Sequence, residues 1–127
     1  MPPTIQRILI VDDDEEIGRL FGTLLEDAGY SVSGTLSGKD GLRAILRGGF
    51  NLVILDLGIA DLDGSEILRA IRKQESKPKV LAISGAVPNM LTAAKALGAD
   101  LVFDKQESTN LLVSAVRELI EGPRKIR

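Results

Sequence analysis

A chain of 127 residues, of which 44% are apolar and 27% charged, is long enough to form one domain with its own core. The absence of cysteine and histidine excludes disulfides, zinc–thiolate sites and histidine-based catalysis, so any bound metal must have oxygen ligands. The net charge is −2 and the basic residues are scattered, which argues against direct nucleic-acid binding. With no signal-peptide pattern and no apolar run of membrane-spanning length, we predict a soluble, cytoplasmic protein.

Strand and helix patterns alternate five times along the chain. The strand candidates are RILIV (7–11), YSVSGT (30–35), NLVIL (51–55), KVLAI (79–83) and LVF (101–103). Apolar residues at helical spacing follow each strand, at 17–28, 42–46, 67–71, 91–97 and 111–120. Gly29, Gly48, Gly98 and Gly122 mark the ends of four of these helices.

Five successive strand–helix units predict an α/β fold, a doubly wound parallel sheet covered by helices on both faces. The first, third and fourth strands are nearly unbroken apolar runs, as expected for strands that are buried on both faces. Right-handed crossovers place the carboxyl ends of all five strands at one edge of the sheet.

Polar residues follow four of the strands at that edge. They are Asp12 and Asp13 after the first strand, Asp56 after the third, Ser84 and Gly85 after the fourth, and Lys105 after the fifth. Ligands of open α/β sheets bind at this edge. Carboxylates suit Mg²⁺, and an ammonium and a hydroxyl suit phosphoryl oxygens, so the set predicts a site for both.

The acidic run after the first strand also has a simpler explanation. Carboxylates stabilise the first turn of a helix, which accounts for Asp14, Glu15 and Glu16. It accounts poorly for Asp12 and Asp13, which lie on the strand side of the turn. We therefore assign that pair to a site.

Four segments resemble the receiver domain of two-component response regulators. They are ILIVDDDEEI, LVILDLGIADLDGSEILRAIR, VLAISGA and ALGADLVFDK. The resemblance covers residues 5 to 121 and implies that 1–127 is a single receiver domain, with 122–127 as a tail or a cut linker. It also implies the flavodoxin-like (βα)5 fold, a five-stranded parallel sheet with strand order 2-1-3-4-5.

The resemblance implies a Mg²⁺ site made by four residues. Asp13 and Asp56 would bind the ion directly, together with the backbone carbonyl of Gly58. Asp12 would hold a metal-bound water.

The resemblance also implies the phosphoryl chemistry. Asp56 would accept a phosphoryl group from a phosphohistidine on a histidine kinase or a histidine phosphotransfer protein. Ser84 and the amide of Gly85 would bind phosphoryl oxygens, and Lys105 would pair with the remaining charge. The signal would pass to a downstream protein partner or a fused output domain.

The sequence departs from the family at three positions. Gln106 follows the lysine where receivers usually have proline, which favours a trans bond or a remodelled loop. Ala60 replaces a proline in the loop after Asp56, so we expect that backbone to be less fixed. Val102 occupies the position of the aromatic switch residue, and Phe103 should face the opposite side of the sheet.

Small residues around the site predict a short-lived acyl phosphate. Gly58 and Ala86 would leave water a path to the phosphorylated carboxylate.

Two other functions fit parts of the pattern. A degenerate receiver could act as a constitutive protein-binding module, which the missing aromatic and proline favour. A haloacid-dehalogenase-type phosphatase would use Asp12 as nucleophile and Asp14 as acid/base, but Glu15 and Glu16 replace the glycine expected there. The main prediction is a phosphoacceptor and not an enzyme with a separate substrate.

Overall fold

Five strands form one parallel sheet. A computed structural model of the protein describes residues 4–85, 95, 98–105 and 108–122. The strands are β1 (Arg7–Val11), β2 (Ser31–Thr35), β3 (Leu52–Asp56), β4 (Lys79–Ser84) and β5 (Leu101–Asp104). All four pairings are parallel, and the order across the sheet is β2-β1-β3-β4-β5. This confirms the predicted flavodoxin-like, doubly wound topology.

Four helices lie within the described residues. They are α1 (Glu15–Asp27), α2 (Gly38–Arg47), α3 (Gly64–Arg72) and α4 (Ser108–Glu121). The helix predicted at 91–97 falls largely outside the described residues, so α4 is the fifth helix of the sequence prediction. The first two helices end beside Gly29 (φ 101°) and Gly48 (φ 81°), where glycine permits left-handed backbone.

Side chains at the N-termini of three helices accept hydrogen bonds from first-turn amides. The N-cap residues are Asp14 for α1, Ser37 for α2 and Asp63 for α3. These bonds satisfy amides that have no partner within the helix, which explains why each helix begins at that residue.

The sheet is buried on both faces because its central strands alternate their apolar side chains between two layers. One layer, containing Leu9, Val11, Val53 and Leu55, packs with the apolar residues of α2 and α3. The other, containing Ile8, Ile10, Leu52 and Ile54, packs with those of α1 and α4. Every residue of β3 is buried, as expected for the middle strand.

Three leucines that contribute to the helical patterns remain exposed. Leu20, Leu46 and Leu111 have exposed fractions of 41%, 62% and 48%. In α2 the buried positions are instead taken by Gly38, Gly41, Ala44 and Ile45. Among the described residues, no helix is long and apolar enough to cross a membrane.

Candidate functional site

The predicted site residues meet at the carboxyl edge of the sheet. Asp56 is the last residue of β3 and pairs in register with Ile83, which directly precedes Ser84 on β4. Asp12 follows β1 directly, and Lys105 follows β5. Parallel strands place these positions side by side, because all their carboxyl ends point the same way.

Three polar side chains of the site are almost completely buried. The exposed fractions are 1% for Asp12, 4% for Asp56 and 2% for Ser84. Within the described part of the chain, they are the only buried polar or charged side chains. Burying two carboxylates costs free energy unless charge and hydrogen bonds compensate. Packing alone therefore does not explain these side chains, and their burial indicates a functional site.

The carboxylates form a cluster that fits a hard cation. Oxygen atoms of Asp12, Asp13 and Asp56 all lie within 4.8 Å of one another. Asp13 is exposed to solvent, whereas the other two are buried. Oδ2 of Asp12 is buried and is contacted by the Lys105 ammonium at 3.2 Å, as an ion pair without hydrogen-bond geometry. Carboxylate oxygens are the ligands that Mg²⁺ prefers, so three of them grouped this closely fit the predicted ion.

Lys105 lies between the two buried carboxylates. Its ammonium nitrogen is 3.2 Å from Oδ2 of Asp12 and 3.4 Å from Oδ2 of Asp56. The backbone holds it there, because the Lys105 amide donates to the carbonyl of Ser84 at 2.9 Å. Burial by itself lowers the pKa of Lys105, but contacts with Asp12 and Asp56 outweigh burial and raise that pKa. The lysine is therefore firmly charged.

The pKa of Asp12 is raised from 3.8 to about 6. Burial is the main cause, and the neighbouring charge of Asp56 adds to it. The Asp14 amide, which donates to Asp12 Oδ1 at 2.8 Å, and the Lys105 ammonium act in the opposite direction. Lys105 alone would lower the pKa of Asp12; burial and carboxylate repulsion prevail because the side chain is almost inaccessible to water.

Two glycines border the cluster. The amide of Gly58 donates to Asp56 Oδ1 at 2.9 Å, and Gly58 itself is exposed. A Cβ at Gly85 would lie 3.6 Å from Cδ of Lys105, an ordinary contact. Packing within the protein therefore does not require glycine at 85. The role of this residue beside a phosphoryl group stays a prediction.

Three further acidic residues near this edge, Asp14, Asp61 and Asp63, accept hydrogen bonds from first-turn amides of helices. Asp14 accepts from the amides of Glu16 (3.0 Å) and Ile17 (3.3 Å), which confirms the helix-cap explanation for it. Asp63 accepts from the Ser65 amide at 3.0 Å. Asp61, in the loop between β3 and α3, accepts from the amides of Gly38 and Lys39 in α2. No local pattern signals that contact, since its partners lie 23 and 22 residues away.

Val102, at the predicted switch position, and its neighbour Phe103 face opposite layers. Val102 is partly buried against the α2–α3 layer, and Phe103 against the α1–α4 layer. This confirms the prediction that Phe103 faces the opposite side of the sheet from Val102, and the consequence for signal transmission stays a prediction. Ala86 and Gln106 lie outside the described residues. Water access past Ala86, and a trans peptide bond or a remodelled loop at Gln106, therefore stay predictions.

Comparison with known proteins identifies the family. The sequence model of the response regulator receiver domain matches residues 8–117. The chain belongs to this receiver family. This family carries signals in two-component systems, which argues against the phosphatase alternative. That alternative also needs Asp14 as an acid/base, whereas the Asp14 carboxylate caps α1.

Two relatives support the assignment. The receiver is 37% identical over 107 residues to an uncharacterized transcriptional regulatory protein, YkoG, of Bacillus subtilis, covering 83% of this chain and 47% of the relative. It is 36% identical over 122 residues to the transcriptional regulatory protein PcoR of Escherichia coli, covering 94% of this chain and 54% of PcoR. The chain thus spans about half the length of these relatives.

Solved structures resemble the receiver along nearly its whole length. A CheY-like receiver domain from Methanospirillum hungatei superposes with a TM-score of 0.84 at 29% identity, covering 93% of this chain and 95% of the other. The chemotaxis response regulator CheY4 of Vibrio cholerae superposes with a TM-score of 0.82 at 25% identity, covering 91% of this chain and 99% of CheY4.

Proposed function

We propose that Asp56 accepts a phosphoryl group from a phosphohistidine on a histidine kinase or a histidine phosphotransfer protein. One observation carries the proposal: Asp56 is only 4% exposed at a strand end, yet its carboxylate lies 3.4 Å from the ammonium of Lys105. A buried carboxylate beside a cation and two further carboxylates suits attack on an anionic group whose charge must be neutralised.

The carboxylate cluster is the proposed Mg²⁺ site. Asp13 and Asp56 would bind the ion directly, the Gly58 carbonyl would be a third protein ligand, and Asp12 would act through a water. When bound, Mg²⁺ supplies positive charge that neutralises the phosphoryl oxygens. The support is the grouping of the three carboxylates, whose oxygens lie within 4.8 Å of one another, and the burial of two of them.

The protein's own groups then orient the transfer. An oxygen of Asp56 attacks phosphorus in line, and the P–N bond breaks with its electron pair going to the ring nitrogen. The other ring nitrogen carries a proton, so the donor leaves as neutral imidazole while the phosphoryl group moves to the carboxylate. Lys105 would exchange its 3.4 Å contact with the Asp56 carboxylate for one with a phosphoryl oxygen. Ser84 and the Gly85 amide would take the remaining oxygens, since Ser84 ends β4 and Gly85 follows it beside Lys105.

The signal is proposed to leave the receiver through a downstream protein partner or a fused output domain. The matched relatives are about twice as long and are named transcriptional regulatory proteins, which supports an output region beyond the receiver. A constitutive protein-binding module is the second candidate, favoured by Val102 at the switch position. The cytoplasmic location stays a prediction.

Intact mass tests the proposal, with phosphoramidate as donor because its P–N bond matches that of phosphohistidine. The native chain should gain one phosphoryl group in Mg²⁺ and none in excess chelator. The Asp56→Asn variant should gain none under either condition. A native chain that stays unmodified, while an unrelated active receiver reacts in the same tube, would favour the binding module.

A further inference from the structure

The loop between β3 and α3, residues 57–63, is attached to the start of α2 by a side chain. Oδ1 of Asp61 accepts from the Gly38 amide at 2.7 Å, and Oδ2 accepts from the Lys39 amide at 3.1 Å. Both amides belong to the first turn of α2, where amides have no partner within the helix. The carboxylate also meets the positive end of the helix dipole there.

The same two segments are in close apolar contact. A Cβ added at Gly38 would lie 2.7 Å from Cβ of Leu62 and 3.5 Å from Cγ2 of Ile59. Gly38 is buried, and its φ lies outside the left-handed range, so close approach explains the glycine. The loop therefore rests on α2 through a polar and an apolar contact.

Helix capping alone does not explain Asp61. α2 already has its own N-cap, since Ser37 Oγ accepts from the Asp40 amide at 3.1 Å. The bonds from Gly38 and Lys39 lower the pKa of Asp61, so the carboxylate is charged at neutral pH. What Asp61 adds is a connection between two segments that are distant in sequence.

The connection acts on the site because the loop begins there. The Gly58 amide donates to Asp56 Oδ1 at 2.9 Å, and the Ile59 amide donates to the Asp56 carbonyl at 3.4 Å. Two residues beyond Gly58, Ala60 leaves the backbone without the restriction that a proline would impose. Asp61 is the next residue, so its bonds to α2 restrict the same stretch of backbone from outside.

We infer that Asp61 is a positioning residue, which anchors the β3–α3 loop to α2 and thereby fixes Gly58 beside the Asp56 carboxylate. The part of this inference that concerns Mg²⁺ rests on the proposed function. The anchoring itself does not, because it concerns the loop of the metal-free protein.

The test compares four variants with the native chain. Asp61→Ala removes both bonds to α2, and Asp61→Asn keeps one acceptor oxygen. Gly38→Ala pushes the loop away from the other side of the contact. Ser37→Ala is the matched control, because it removes a hydrogen bond from the same helix terminus without touching the loop. Amide hydrogen exchange in the metal-free protein reports on the loop, and calorimetry reports the Kd for Mg²⁺.

We expect Asp61→Ala and Gly38→Ala to speed exchange of the Gly58 amide and to weaken Mg²⁺ binding by about 10-fold, the lower range for residues that orient metal ligands. Asp61→Asn should fall between them and the native chain, and Ser37→Ala should change neither quantity. Unchanged Gly58 exchange in Asp61→Ala, or equal effects of Ser37→Ala, would overturn the inference. If Asp61→Ala speeds exchange of the Gly58 amide but the native chain binds no Mg²⁺, the proposed function is contradicted and the anchoring role of Asp61 stands.

Discussion

The ammonium nitrogen of Lys105 lies 3.2 Å from Oδ2 of Asp12, although 93 residues separate them in sequence. β1 and β5 are not neighbours in the sheet, so the lysine side chain reaches across the ends of the strands between them. In the metal-free protein this contact offsets the repulsion between two buried carboxylates. In the proposed function, the same ammonium would pair with a phosphoryl group on Asp56.

Replacing Lys105 should impair both roles. In Lys105→Ala we expect phosphoryl uptake to slow by about 100-fold, as for loss of a charge-stabilising group. The free energy of unfolding without metal should fall by about 1–3 kcal/mol, because charged groups are left buried without their partner. Intact-mass time courses and urea titrations measure the two effects. Lys77→Ala, at an exposed lysine, is the control, and an equal effect there would contradict the assignment.

Stability of the metal-free protein should depend on the charge of Asp12. Its native pKa of about 6 lies above the ordinary 3.8, so the native state binds this proton more tightly than the unfolded state. The resulting stabilisation is complete below about pH 4 and is lost as the pH rises through about 6. Asp12→Asn has no carboxyl group to titrate and so lacks this loss. As the pH rises through the window, the free energy of unfolding of the variant, relative to that of the native sequence, should therefore increase by about 2–3 kcal/mol. Urea titrations in chelator measure the difference, and a difference independent of pH would contradict the burial effect.

Asp14 should matter for stability and little for chemistry. Asp14→Ala removes the cap of α1 and should lower the free energy of unfolding by about 1 kcal/mol. Asp14→Ser keeps a capping oxygen and should restore most of that loss. Phosphoryl uptake, followed by intact mass, should stay within about twofold, since the capping role is separate from the reaction. Abolished uptake in both variants would favour an acid/base role for Asp14.

Bulk at Gly58 should lengthen the life of the phosphorylated form. Gly58 is exposed, its φ is outside the left-handed range, and a Cβ would lie 3.5 Å from Asp56 Oδ1. In Gly58→Leu the side chain should cover the acyl phosphate and slow hydrolysis several-fold. Loss of the phosphoryl adduct after donor removal, followed by mass, measures this. Ala60→Leu, two residues along the exposed loop, serves as control, and an identical lifetime in both variants would rule out shielding by residue 58.

Much of this architecture could be predicted from local patterns. β1 has the bounds predicted, and the meeting of Asp12, Asp56, Ser84 and Lys105 follows from the parallel sheet alone. The attachment of Asp61 to α2 could not be predicted, because it depends on how a loop packs against a distant helix. The exposure of Leu46 could not be predicted either, because Gly41 and Ala44 are among the α2 residues that are buried instead. Periodicity indicates that a helix has an apolar face; packing decides which residues on it are covered.

Reduction of the modified protein with borohydride tests the central claim most directly. Borohydride converts an aspartyl phosphate into homoserine, and peptide mass spectrometry then locates the altered residue. After treatment with phosphoramidate and Mg²⁺, we predict homoserine at position 56 and unmodified aspartate at 12 and 13. Homoserine at 12 or 13, or none at 56 in a chain that has gained a phosphoryl group, would contradict the assignment of Asp56 as the phosphoacceptor.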